Sequence, residues 1–191
     1  MRRLSSVLAG MLMCAGGALA ASGQPPASGE PAASVFATPR EEPAVVALIT
    51  EHASLRPGGS TRVGVAFDLA EGWHIYFSDP GDAGLPTEIA WSGPPGVQFS
   101  PLVWPEPEQF DEPGGITTNG YSGHLVLSST LSYPATRDGE PLASIPLTAA
   151  ITWLACRDIC IPGSATRALT LPVSSREPAL TTHAWLFDQV P

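Results

Sequence analysis

One stretch of the sequence decides the fold class: Ile145-Pro146-Leu147-Thr148-Ala149-Ala150-Ile151-Thr152-Trp153. Every second residue in it is apolar. Because successive side chains of a β-strand point to opposite faces of a sheet, this period of two predicts a strand with one buried face. The run of Val63, Val65, Phe67 and Leu69 repeats the pattern earlier in the chain. Both stretches therefore indicate a protein built from β-sheets.

Six further segments have the composition of short strands, and turn-rich sequences such as Arg56-Pro57-Gly58-Gly59 and Arg137-Asp138-Gly139-Glu140 separate them. These segments are residues 45–50, 73–77, 87–91, 97–103, 124–133 and 166–173. About eight short strands without a helical period between them predict an all-β fold, an antiparallel β-sandwich. Residues 178–190 have a helical pattern, so a short C-terminal helix is expected there, with Pro178 in its first turn.

Two segments rich in Gly and Pro interrupt the predicted strands. They are residues 78–86 and the longer segment 105–120, which contains Phe110. Both are predicted to be loops, and Asp79 and Asp82 are interpreted as turn-forming residues. Long ordered loops in a small domain are often functional, which makes both segments candidates for a role beyond connection.

A pair of cysteines follows the first stretch, in Cys156-Arg157-Asp158-Ile159-Cys160. A disulfide across so short a ring is a weak brace, because about five residues give only ~2 kcal/mol in the chain-entropy model. Disulfide geometry requires the two Cα atoms to lie within about 7 Å, whereas four steps of extended strand separate them by roughly 13 Å. Residues 157–159 are therefore expected to turn, which places the pair at the end of a hairpin or in a one-turn loop. The arrangement favours redox chemistry over a structural role.

The first 20 residues have the features of an export signal. Arg2 and Arg3 precede an apolar run over residues 4–19, and Ala18-Leu19-Ala20 is a small-x-small cleavage site. We therefore expect residues 1–20 to be a signal peptide that is cleaved near Ala20.

Removal of this signal leaves Cys156 and Cys160 as the cysteines of the mature chain, because Cys14 lies within the signal. Export delivers the pair to an oxidising compartment, in which disulfides persist. Residues 21–43 are rich in Pro, Ala and Ser and are predicted to be a flexible leader. Residues 44–191 are long enough for one domain with its own core. The mature sequence has no apolar run long enough to cross a bilayer.

The chain carries 18 acidic and 9 basic residues, and all of the basic residues are Arg. Without Arg2 and Arg3 the mature chain has 7 basic residues against 18 acidic ones, a net charge of −11. This charge argues against nucleic acid as a partner. The three Met residues also lie within the predicted signal, so the mature chain lacks the thioether ligands that many copper carriers use.

Three stretches of the sequence resemble one known family. They are Gly72-Trp73-His74-Ile75-Tyr76-Phe77-Ser78-Asp79-Pro80-Gly81-Asp82-Ala83-Gly84-Leu85-Pro86, Trp104-Pro105-Glu106-Pro107-Glu108-Gln109-Phe110 and Trp153-Leu154-Ala155-Cys156-Arg157-Asp158-Ile159-Cys160-Ile161-Pro162. In this order they resemble the N-terminal periplasmic domain of DsbD-type and ScsB-type membrane disulfide reductases. With the strands between them, the resemblance covers residues 44–173, and the first and third stretches look closer to the ScsB-like branch.

The resemblance implies an immunoglobulin-like β-sandwich that works in the periplasm as a component of a protein-disulfide reductase, and no cofactor is expected. It implies that Cys156 and Cys160 are the redox pair. This pair would accept electrons from a membrane-embedded or thioredoxin-like donor and pass them to periplasmic client proteins. In the family an aromatic cap loop covers the pair until a partner docks, and Phe110 is the candidate for the shielding ring. The resemblance also favours Cys160 as the residue that meets the partner.

The chain differs from typical members, which continue into a multi-helix membrane domain and a thioredoxin-like domain, whereas this sequence ends at Pro191. We expect either a free-standing carrier that a separate membrane protein serves or a truncated product. The chain also lacks a Cys-x-x-Cys motif of its own, so it is expected to depend on another protein for reduction.

The residues themselves leave three functions open. Two cysteines suffice for exchange, in which a thiolate attacks a disulfide, a mixed disulfide forms and the neighbouring thiol resolves it. Arg157 would stabilise a thiolate and Asp158 would oppose it, so the flanking charges do not identify the attacking cysteine. A copper-tolerance protein would instead hold Cu(I) with the two cysteines and a His. A non-catalytic adaptor would use the pair as a structural disulfide. His74 is interpreted as a strand residue, either solvent-facing or hydrogen-bonded, rather than as a ligand.

Overall fold

The computed structural model of the protein describes residues 42–134, 136 and 142–189. This part of the chain contains ten β-strands and one short 3₁₀ helix, Ala184–Gln189. The strands are β1 (Ala44–Thr50), β2 (Ser60–Leu69), β3 (His74–Gly81), β4 (Glu88–Ser92), β5 (Gln98–Phe99), β6 (Glu108–Glu112), β7 (Ile116–Ser122), β8 (His124–Ser132), β9 (Ser144–Cys156) and β10 (Cys160–Pro172). The predicted export signal, nearly all of the predicted leader and the predicted turn at residues 137–140 lie outside the described residues.

The strands form two sheets. The first has the order β1-β2-β8-β5, and the second has the order β10-β9-β3-β7-β6 with β4 also paired to β9. Every pairing between these strands is antiparallel. The prediction of an all-β, antiparallel β-sandwich is confirmed. Among the described residues, no helix has the length and apolarity that crossing a bilayer requires.

The main core lies between the two sheets and is built from the two alternating stretches. The apolar positions of β2 and β9 are almost fully buried, as the period of two predicts; they are Val63, Val65, Phe67, Leu69, Ile145, Leu147, Ala149 and Ile151. Phe67 of the first sheet meets Trp153 of the second edge-to-face, with ring centroids 5.8 Å apart. Full burial of a Val, Leu, Ile or Phe side chain contributes roughly 1.5–3 kcal/mol, so these alternating positions contribute strongly to stability.

The prediction of a loop over residues 105–120 is wrong. This segment contains β6 and β7, which pair as a hairpin from Glu108 opposite Gly120 to Glu112 opposite Ile116. Gly114 and Gly115, with φ of 94° and 76°, allow the tight reversal between the strands. The strands are polar and β6 lies at the sheet edge, so they lack the apolar alternation that reveals β2 and β9.

Three other predicted boundaries differ from the structure. Strand β3 continues through Gly81, so the predicted loop at residues 78–86 begins too early, although the register shifts between Tyr76 and Gly81. The predicted strand at residues 97–103 is reduced to β5. Strand β10 begins at Cys160 rather than at residue 166, because its Pro- and Gly-containing start still pairs with β9.

The C-terminal helix is a 3₁₀ helix that begins at Ala184, six residues after Pro178, so the predicted role of Pro178 in its first turn is wrong. Its Phe187 is 1% exposed and packs against Ile49 and Val126 on the outer side of the first sheet. This contact anchors the end of the described chain to β1 and β8.

Candidate redox site

The two cysteines terminate the longest hairpin of the structure. Strands β9 and β10 pair along their full length, and the last pair in the register is Cys156 opposite Cys160. The three residues between them form the turn, which the backbone N–H of Arg157 closes by donating to the carbonyl of Ile159 at 3.1 Å. The predicted turn at the end of a hairpin is confirmed. Opposite positions of an antiparallel pair project to the same face, so the register brings the two sulfur atoms together.

The pair is a disulfide, with an S–S distance of 2.03 Å and a Cα–Cα distance of 4.1 Å. Its two ends differ in exposure: Cys156 is 2% exposed, whereas Cys160 lies on the surface. The neighbouring Ile159 is 61% exposed. A partner that approaches the tip of the hairpin therefore meets Cys160 and an apolar side chain beside it.

The turn itself is fixed by a contact with the β2–β3 connection. The guanidinium group of Arg157 lies 4.9 Å from the centre of the Trp73 ring, and Trp73 is 5% exposed. Gly72 has a φ of 77°, and a Cβ at this position would lie 3.1 Å from Cδ of Arg157. The guanidinium group of Arg157 thus lies against Trp73, although the Arg157 side chain is still exposed. The more exposed carboxylate of Asp158 lies 3.5 Å from Nε of Arg157.

His74 is the cross-strand neighbour of Cys156. It begins β3, where it pairs with Cys156 on β9 on one side and with Ser122 on β7 on the other. Its side chain is buried, with a residue exposure of 5%, so the solvent-facing alternative from the sequence is excluded. The imidazole stacks on the ring of Phe110 at a centroid distance of 4.5 Å and an angle of 16°. The ring of Tyr76 meets it edge-on at 5.2 Å.

A third contact to His74 is with the carboxylate of Glu112. Oε1 of Glu112 lies 3.3 Å from Nε2 of His74, and the two side chains are only 22% and 7% exposed. Nε2 is fully buried and meets no hydrogen-bond geometry within the described part of the chain. Burial lowers the pKa of His74 and the nearby Glu112 carboxylate partly opposes this shift. Burial, with a smaller contribution from Glu112, also raises the pKa of Tyr76.

The ring of Phe110 stacks on His74, and His74 pairs with Cys156. His74 therefore lies between Phe110 and the cysteine pair. Sequence reasoning singled out Phe110, did not link Glu112 to His74, and interpreted His74 as an ordinary strand residue. The spacing of two between Phe110 and Glu112, which places them on one face of a strand, is the signal that links them once β6 is known to be a strand.

The other histidines lie elsewhere. Nδ1 of His52 is 3.0 Å from Oγ1 of Thr61, and His124 lies 3.1 Å from Asp68, both on the first sheet or beside it. Within residues 42–134, 136 and 142–189, no group of three or more His, Cys, Asp or Glu side chains is arranged to hold a metal ion.

Comparison with protein families identifies one match. The family described as "Thiol:disulfide interchange protein DsbD, N-terminal" matches residues 45–172, which include every strand of the second sheet. No curated protein matches the chain at a significant level.

One solved structure supports the same fold. The chain is similar to the N-terminal periplasmic domain of ScsB from Proteus mirabilis, with a TM-score of 0.55 and 26% identity over 80% of this chain and 54% of that chain. It thus spans about half of the length of that relative. Two Neisseria meningitidis structures are also similar. The reduced DsbD N-terminal domain is 17% identical with a TM-score of 0.35, covering 65% of this chain and 86% of that one. The complex of the DsbD and PilB N-terminal domains is 16% identical with a TM-score of 0.32, covering 63% and 80%.

Proposed function

The chain belongs to the family of DsbD N-terminal domains and has its immunoglobulin-like sandwich, and on this premise we propose that it is a periplasmic thiol-disulfide exchange module. Cys156 and Cys160 form its redox pair. The pair accepts electrons from a membrane-embedded or thioredoxin-like donor and passes them to periplasmic client proteins. One observation carries the proposal: a disulfide at the tip of a hairpin, with one exposed and one buried cysteine.

This asymmetry assigns a step to each cysteine. In the reduced protein the thiolate of Cys160 attacks a client disulfide, so that a mixed disulfide forms and one client sulfur leaves as a thiolate. The thiolate of Cys156 then attacks Sγ of Cys160, which releases the second client sulfur and forms the Cys156–Cys160 bond. Two electrons pass to the client, whose two thiolates take up protons from solvent. The donor reverses the sequence by attacking the exposed Sγ of Cys160.

Phe110 shields the pair in this proposal. Its ring is partly buried and stacks on His74, beside Cys156 in the strand register. A shield of this kind covers the pair from the side of the buried Cys156, whereas Cys160 stays exposed to a partner at the tip of the hairpin. A docking partner that displaces the ring opens the Cys156 side. Ile159, exposed next to Cys160, offers that partner an apolar contact.

Export to the periplasm supports the same function. Residues 1–20 have the pattern of a signal that is cleaved near Ala20, and residues 21–43 have the composition of a leader. Residues 44–191 then form the working domain, whose first strand begins at Ala44. An oxidising compartment is where a two-cysteine relay has disulfide substrates to reduce.

The reduction potential of the Cys156–Cys160 pair tests the proposal. The mature protein is equilibrated in thiol redox buffers and the reduced fraction is quantified. A value between about −120 and −270 mV lies in the range of exchange proteins and would support the relay. A value well below about −300 mV would mark a resistant structural bond, and the function would become that of an adaptor. Titration of the reduced protein with Cu(I) distinguishes the copper-tolerance alternative from the relay. A copper-tolerance protein would bind the metal stoichiometrically, whereas a relay does not require metal binding.

A further inference from the structure

Strand β6, which carries Phe110, contacts His74 although β6 is not next to β3 in the sheet. Strand β7 lies between β3 and β6 in the sheet order. The registers place His74 and Tyr76 of β3, Gly120 of β7, and Phe110 and Glu112 of β6 on one face of the sheet, which is also the face of Cys156. Phe110 and Glu112 are opposite Thr118 and Ile116 of β7, and both β6 side chains reach across that strand to His74. The outer face of the second sheet therefore has a small packed cluster of its own next to the disulfide.

Two side chains of β6 converge on this one imidazole. Phe110 covers its face and Glu112 meets its Nε2. We infer that His74 and Glu112 are positioning residues for disulfide exchange, which hold β6 against the sheet and thereby keep the Phe110 ring stacked on the strand neighbour of Cys156. This inference deepens the proposed function and rests on it, since it assigns two residues that set how easily the shield opens.

The chemistry of the contact suits a shield that must open. A purely apolar contact would expose apolar surface to water on opening, whereas Nε2 and the carboxylate are both hydrated when they separate. In the closed state the contact is only partly satisfied, because the buried Nε2 does not meet hydrogen-bond geometry. Both features keep the free-energy difference between closed and open states small, so a docking partner can displace β6.

The same contact makes opening depend on pH. Burial lowers the pKa of His74 in the closed state. Among the neighbouring groups, Glu112 is the one that carries a charge. Tyr76 is neutral near pH 7, and Cys156 is part of the disulfide. When β6 moves away, His74 returns to an ordinary pKa of about 6.5. The open state thus binds more protons than the closed state, and its population rises as the pH falls below about 6.5.

The test is the rate at which a small neutral thiol reduces the oxidised mature protein, expressed per thiolate. At pH 7 Glu112→Ala is expected to react about three- to tenfold faster than the wild type, because it removes a contact that holds β6 on His74 in the closed state. In that state Cys156, whose thiolate leaves when Cys160 is attacked, is buried. Asp111→Ala, which removes the same charge from the adjacent exposed position, is the matched control and is expected to change the rate less than about twofold. Equal rates for these two variants would overturn the inference.

A double variant tests whether Glu112 acts through Phe110. Phe110→Ala removes the shield, so adding Glu112→Ala to it is expected to give no further acceleration. An equal acceleration by Glu112→Ala with and without Phe110 would show that the carboxylate acts on the disulfide directly, against the inference. Far-UV and near-UV circular dichroism confirm that each variant is folded.

The pH profile gives a readout that a merely structural role would not change. In the wild type, the rate per thiolate is expected to rise as the pH falls below about 6.5. Glu112→Ala removes the opposing carboxylate, so the midpoint of this rise is expected to move to lower pH. In His74→Phe, which keeps an aromatic ring, the rise is expected to disappear; a profile that is unchanged in both variants would refute the inference.

These rates are independent of the reduction potential. A potential below about −300 mV combined with the expected rates would leave His74 and Glu112 as positioning residues of a shielded structural disulfide. The other outcome is a potential in the exchange range together with reduction rates that do not change in the Glu112 and His74 variants. It would support the proposed function and contradict this inference.

Discussion

Cys156 and Cys160 are direct partners in the β9–β10 register, yet Cys156 is 2% exposed and Cys160 lies on the surface. The two cysteines of one disulfide therefore differ in exposure to solvent. Since the incoming thiolate must reach the sulfur that it attacks, the fold itself distinguishes the two positions. The flanking charges do not distinguish the two cysteines in this way, because Arg157 and Asp158 are both exposed, lie 3.5 Å apart and have opposing effects on a thiolate.

The first prediction concerns the reactivity of each thiol alone. In Cys156→Ser the remaining Cys160 is expected to react with iodoacetamide about tenfold or more faster than the remaining Cys156 does in Cys160→Ser, because reactivity follows exposure. Cys156→Ser is also the variant expected to accumulate mixed disulfides with partners. The two variants should react at equal rates in denaturant, and equal rates in the native state would reverse the assignment.

The second prediction concerns the support of the hairpin tip. Arg157→Ala removes the cation–π contact with Trp73 and is expected to lower the free energy of unfolding by about 0.5–1 kcal/mol in urea. Arg157→Lys keeps the charge but lacks the planar group, so an intermediate loss is expected. Arg176→Ala removes an exposed Arg elsewhere and is the control. An unfolding midpoint in Arg157→Ala equal to that of the control would show that the contact does not stabilise the tip.

The strands that sequence reasoning found are those with one face in the main core. In β2 and β9 the apolar alternation is strong because these strands are central and their inner faces are fully buried. The hairpin of β6 and β7 was missed because its side chains are mostly polar. Its strongest local signal is the turn Pro113-Gly114-Gly115 between Phe110-Asp111-Glu112 and Ile116-Thr117-Thr118, which is a hairpin pattern with a Gly-rich turn.

The candidate site was predictable only in part for a related reason. The spacing of Cys156 and Cys160 dictates a turn, so a local pattern was sufficient for the disulfide. The environment of His74 depends on a contact with β6 across β7, which joins positions more than thirty residues apart in sequence. No sequence periodicity indicates such a contact. The sequence around His74 has the same strand pattern whether or not other side chains cover that face of the sheet.

The third prediction concerns the close packing of β10 on β9. Gly163 is opposite Trp153, and a Cβ at Gly163 would overlap the indole ring. Gly163→Ala is therefore expected to lower the free energy of unfolding by about 1–3 kcal/mol, through displacement of a ring that packs on Phe67. Ser164→Ala, at the adjacent exposed position, should have little effect. In a Trp153→Leu background the cost of Gly163→Ala should shrink, and an undiminished cost would point to backbone strain instead.

The fourth prediction concerns the ionic network that joins the C-terminal helix to the first sheet. Arg62 donates to Oε1 of Glu51 at 2.7 Å, to Oδ1 of Asp188 at 2.8 Å and to the carbonyl of Phe187 at 2.7 Å. Glu51 is 17% exposed, so its bond to Arg62 is less screened than a surface pair. Glu51→Gln is expected to lower the free energy of unfolding by about 1–2 kcal/mol at pH 7. The control Glu177→Gln breaks an exposed pair with Arg56 and should cost less than about 1 kcal/mol.

The effect of Glu51→Gln should depend on pH with a defined sign. The hydrogen bond from Arg62 lowers the pKa of Glu51 below its ordinary value of 4.5. The unfolded state therefore binds the proton first as the pH falls, so this stabilisation is fully present above pH 4.5 and is lost as the pH falls through the lower pKa of the folded state. The difference in unfolding free energy between the wild type and Glu51→Gln, measured in urea at several pH values, should be constant from pH 7 to 5 and should narrow below 4.5. A difference that stays constant into the acid range would mean that the Glu51 carboxylate does not stabilise the fold through its charge.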